Sequence, residues 1–195
     1  MKRRERSKCS FRLSALVRVG TGVVIAFLAV GLLRLVLSAP GAANTLEEVV
    51  AVKERLSPGR PITVIFPLAR LLSAEHVKLE SLPIRLVIDG VKIISGQSAG
   101  FRIFVNRPDA DADTPTTDLH YAASVAFYPS GPTEQASTYV VDLIETLKSL
   151  AATGQLANSD RLAVTLVAIP AEGAPKEFPV RIDIQSLIIK IDWPK

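Results

Sequence analysis

"IRLVIDGVKIISGQSAGFRIFVN", residues 84–106, decides the fold class. Its apolar residues alternate with polar ones, the period that places one set of side chains on a single face of a strand. Asp89-Gly90 falls between two β-branched arms. That dipeptide closes two-residue hairpins, because Gly and Asp tolerate positive φ, so a hairpin is expected there. "SGQSAG" (95–100) reads as a loop, and "GFRIFVN" (100–106) alternates again.

Working outward, the same pattern recurs in "ITVIFPL" (62–68), "YAASVAFY" (121–128), "RLAVTLVAI" (161–169) and "VRIDIQSLIIKID" (180–192). The last reads as two short strands around Gln185-Ser186. Six or more short strands punctuated by Pro and Gly predict an antiparallel sandwich or barrel over residues 61–195, not a parallel sheet. One helix interrupts them. Asp142, Leu143, Ile144 and Glu145 resemble a capping box, and Leu143, Ile144, Leu147 and Leu150 give the following turns one apolar face.

Ahead of the domain, Asn44 to Glu47 form another capping-box pattern, and "TLEEVVAVKERL" predicts a short helix up to "SPGRP". Residues 40–60 therefore read as a linker with a stalk helix. Before it, Val19 to Ala39 supplies the roughly 20 mainly apolar residues that span a bilayer, with Arg34 snorkelling to the interface. Residues 1–18 form a basic tail that sets the amino terminus in the cytoplasm and the carboxy-terminal domain on the exported side. The competing reading is a signal peptide cleaved after Ala43, preceded by small residues, which would release the domain to the periplasm or the medium. Arg3-Arg4 is a twin-arginine pair without the apolar residues that normally follow one.

Charge is segregated accordingly. Eight of the 23 basic and one of the 19 acidic residues fall in residues 1–40, which leaves residues 41–195 with 15 basic against 18 acidic. The net charge of +4 belongs to the tail, so the basic pI gives no nucleic-acid footprint on the domain. Cys9 is the only cysteine, which rules out a disulfide or a cysteine-based metal site beyond it.

The catalytic inventory is poor. His76 and His120 are the only histidines and lack neighbours at ligand spacing. There is no G-x-S-x-G, G-x-G-x-x-G or P-loop pattern. Asp109, Asp111 and Asp113 begin like a calcium loop and form the one metal candidate. An EF-hand loop needs Gly at its sixth position and Glu at its twelfth, where this chain has Thr114 and His120. Bracketed by Pro108 and Pro115, the triplet reads as a solvated connector between strands.

The order of these pieces resembles the carboxy-terminal domain of plant-type polyphenol oxidases and some bacterial tyrosinases, named for its Lys-Phe-Asp-Val motif. The motif positions hold Gly100, Phe101, Arg102 and Ile103 here, so the motif has decayed while its strand remains, with Phe101, Ile103, Phe104 and Asn106. The resemblance implies a jelly-roll-like sandwich that lies over the dicopper centre of a separate catalytic domain and keeps that enzyme latent. Two histidines cannot supply a dicopper centre. What is implied is the covering domain without the enzyme: no catalytic residue, no cofactor, and a tyrosinase-type copper oxidase as partner. The family residue that plugs the copper site has no clear counterpart beyond the "YPSGPTEQ" loop (128–135). A partner-facing patch would draw on Phe66, Phe127, Tyr128 or Phe178, which at alternating spacing are also ordinary core positions. The alternative is a structural or envelope-binding module that shares only the sandwich.

Overall fold

The computed structural model describes residues 45–67, 83–127, 131–156, 160–173 and 180–192. The proposed membrane segment, residues 19–39, lies outside them. Among the described residues no helix is long and apolar enough to cross a membrane.

The chain order is β1 (Thr45–Ala51), β2 (Ile62–Pro67), β3 (Ile84–Ser95), β4 (Ser98–Val105), β5 (Tyr121–Ala126), β6 (Ser137–Asp142), α1 (Ile144–Ala152), β7 (Arg161–Pro170), β8 (Arg181–Asp183) and β9 (Ser186–Asp192). The strands form two antiparallel sheets. In the first the order is β1-β9-β3-β6 with β8 also on β3; in the second it is β2-β7-β4-β5. β8 and β9 follow β3 in one continuous register, Ile191 opposite Ile84 and Asp183 opposite Lys92. They therefore act as a single interrupted strand. Eight strand lines are then shared between two sheets in the order of a jelly roll, with β4 and β5 the one consecutive pair in the same sheet.

Inward side chains of both sheets share one core, including Leu86, Ile88, Leu187 and Ile189 from the first and Phe66, Ile103, Val164 and Leu166 from the second. Leu143, Leu147 and Leu150 add the buried face of α1 to it. The helix start differs slightly from a capping box. The Ile144 amide donates to Asp142 Oδ1 at 2.9 Å, while Glu145 pairs with Lys148.

Two expectations are corrected. Asp89-Gly90 is not a hairpin turn: β3 runs straight through it for 12 residues. Gly90, at φ 70°, is a bulge where the register against β6 slips between Ile88 and Val91. A Cβ there would lie 2.3 Å from Gln185 Cγ, because the break between β8 and β9 abuts it and the Gln185 amide donates to Asp89 O.

The stalk helix is also overturned. Residues 45–51 form β1, paired with β9 from Thr45–Asp192 to Ala51–Ser186, and the Leu56–Ile182 bridge continues the line along β8. Residues 45–51, within the expected linker, thus belong to the first sheet. A short isolated helix is marginal in water, whereas β9 offers a complete row of backbone partners beside a core that receives Leu46 and Val50. Asn44 lies outside the described residues. β6, "STYVVD", lies outside the strands that the sequence pattern marks, because Val140 between Tyr139 and Val141 breaks the apolar–polar alternation.

Candidate functional site

The motif strand β4 is covered on both faces. Phe101, Ile103 and Val105 point into the sandwich, while Phe104 packs outside it with Ala110 and Val167. Ala110 belongs to the acidic loop, so that loop folds back over the outer face of the second sheet. Arg102 fastens it there: Nη1 donates to the carbonyl oxygens of Ala112 at 3.0 Å and Thr114 at 2.9 Å. At the end of β4, Asn106 takes φ 53°, which Asn tolerates. Its amide donates to Ala163 O and its Oδ1 accepts from the Ala163 amide. Phe101, Ile103 and Phe104 are therefore buried in the fold, and half-buried Asn106 is tied to β7.

The three aspartates are not brought together as ligands. Asp109 faces back to Arg107, whose Nε lies 3.2 Å from Asp109 Oδ1 as an ion pair without hydrogen-bond geometry. Arg107 Nη1 donates to Asp118 Oδ2 at 2.9 Å. Asp111 Oδ1 accepts from the amides of Asp113 and Thr114 and from the Thr114 hydroxyl, all within 3.0 Å. The Thr114 hydroxyl bond, opposed by desolvation and helped by the amides, holds the Asp111 carboxyl below the usual aspartate range. Asp113 is exposed. Among the described residues no group of three His, Cys, Asp or Glu side chains could hold a metal ion. The loop connects β4 to β5 and closes on itself.

His120 is at the base of this loop. Its Nδ1 lies 2.7 Å from Val105 O, so the ring donates there, and its amide donates to Asp118 Oδ1. His76, Tyr128 and Phe178 lie outside the described residues. Phe66 is fully buried. Phe127 is half-buried and packs against Phe101 and Tyr139, with ring centroids 5.7 and 6.1 Å away. These aromatics join the two sheets and do not form an outward patch.

One concave surface among the described residues lies between two sheet edges. Ala122 to Ala126 of β5 and Tyr139 to Asp142 of β6 line an open groove of about 490 Å³. Its one charged lining residue is Asp142. The approach of β4 to β5 is so close that a Cβ on Gly100 would lie 1.8 Å from Val125 O. Glycine is therefore required where the motif has lysine. The groove offers strand edges, hydroxyls and small apolar side chains, which suits contact with another surface.

The sequence profile of the chloroplastic polyphenol oxidase C-terminal domain matches residues 63–184. The chain belongs to that domain family. No curated protein matches the chain. Among solved structures, the polyphenol oxidase C-terminal family member resembles latent aurone synthase from its natural source at 21% identity, with a TM-score of 0.45 over 74% of this chain and 27% of that one. It resembles latent apple tyrosinase at 21% identity, with a TM-score of 0.43 over 70% and 27% of the two chains. It thus spans about a quarter of the length of these proteins. The family match covers the C-terminal domain and not the catalytic dicopper domain.

Proposed function

We propose that the chain is a non-catalytic, membrane-anchored module that acts on a tyrosinase-type copper oxidase from the exported side of the membrane. The observation that carries this reading is the family match over residues 63–184, the C-terminal part of the oxidase alone. Two histidines in these 195 residues point the same way, because a dicopper centre needs more ligands than they supply. The basic tail and the apolar stretch of residues 19–39 support single-pass anchoring with the domain exported.

The test is recovery of the tagged full chain from detergent-solubilised envelopes of its source, with bound proteins identified and copper assayed. Co-purification of a histidine-rich copper oxidase is expected. Recovery of the chain with envelope proteins but without any copper oxidase would overturn the reading and favour a structural envelope-binding module. That second reading draws on the inward packing of Phe66, Phe101 and Phe127, which leaves the groove shallow and partly polar.

A further inference from the structure

We infer that β6 is a self-pairing edge through which two copies of this chain join their first sheets. β6 ends that sheet, and among the described residues no strand pairs with its outer side. Edge strands are commonly guarded by charge, proline or a covering element. β1 carries Glu47 and Glu48, and β2 ends in Pro67; β5 is covered by α1 only at its start, where Thr146 donates to Tyr121 O, but it exposes no large apolar side chain. β6 has neither lysine nor proline, and its one charge is on its last residue, Asp142. At its centre Val140 is 58% exposed, more than the other exposed large apolar side chains among the described residues.

The register supplies the occupant. Antiparallel partners must lie on the same face, and a slip by one residue exchanges the faces. Tyr139 and Val141 face inward, whereas Thr138, Val140 and Asp142 face outward. A two-fold axis through Val140 satisfies this rule along the whole strand. Val140 then meets Val140 of the second copy, Tyr139 meets Val141, and Thr138 meets Asp142. The one charge of β6 meets the Thr138 hydroxyl, which donates to Asp89 Oδ1 of its own chain, and no charged residue of β6 meets its own copy, so the strand is complementary to itself, as an isologous contact requires. The two four-strand-wide sheets become one eight strands wide. This inference is independent of the oxidase reading.

The experiment is the protein mass of the full chain in mild detergent by light scattering, for wild type and single substitutions. Wild type is expected as a dimer and Val140→Lys as a monomer with a two-fold lower mass. Val49→Lys, on the exposed face of the opposite edge strand, should stay dimeric. Thr138→Glu, which sets a carboxylate against Asp142 of the second copy and beside Asp89 of its own chain, should dissociate the pair, and Thr138→Lys should retain it. Circular dichroism of each variant verifies folding. Monomeric wild type overturns the inference and leaves the edge to a different protein; so does a dimer that survives both Val140→Lys and Thr138→Glu.

Discussion

Asp111 serves its own loop. Its carboxylate accepts from Asp113 and Thr114, and the Thr114 hydroxyl accepts in turn from the Asp111 amide at 3.0 Å. A carboxyl with a lowered pKa stabilises the folded loop at pH values above its ordinary, unfolded pKa, and that stabilisation is lost as pH falls through the lowered, folded value. The Thr114 and Asp113 amides should therefore be protected from hydrogen exchange at neutral pH and lose protection on strong acidification. Asp111→Ala should remove it at neutral pH as well. NMR-detected exchange across a pH series checks this, and full protection in Asp111→Ala would show that the loop is held by other contacts. The spacing of the aspartates and the two prolines already marked a connector. That Asp109 turns to Arg107, and that Arg102 fastens the loop from β4, depends on strand neighbours far away in sequence.

At the scale of the element, β1 shows how pairing overrides local preference. The Val52 amide donates to Gln185 O at 2.9 Å, and in an antiparallel ladder such pairs recur every second residue. The Val50 amide thus faces β9, and the Val49 amide faces away. Val50→Pro should cost roughly 2–3 kcal/mol, through a lost ladder bond, while Val49→Pro should cost under about 1 kcal/mol. Urea unfolding monitored by circular dichroism measures both. Equal losses would restore the helix that "TLEEVVAVKERL" suggests in isolation. The same logic applies to β3. Asp89-Gly90 has the chemistry of a hairpin, but β3 pairs with β6 from Arg85 to Val91 on one side and with β9 and β8 on the other, and Gly90 is retained as a bulge against Gln185.

On the scale of the whole molecule, the two sheets share one core, and Phe101 is one of the side chains that cross it. Its ring lies 6.2 Å from that of Tyr139 on the opposite sheet and 5.7 Å from that of Phe127. Phe101→Ala should cost about 3–5 kcal/mol. It should shift the far-UV and near-UV urea transitions together, since loss of a shared core cannot unfold one sheet alone. Separate transitions would mean that the sheets are independent units. By itself the sequence determined the all-β class, most of the strands, the helix after Asp142 and the family, because these follow from local period, turn chemistry and the order of segments. Only the tertiary structure decided which strands are neighbours, that residues 45–51 extend β9, and that the motif strand is covered while β6 is open. Those outcomes rest on hydrogen-bond partners and buried contacts as many as 147 residues apart, as between Thr45 and Asp192, and no local pattern encodes them.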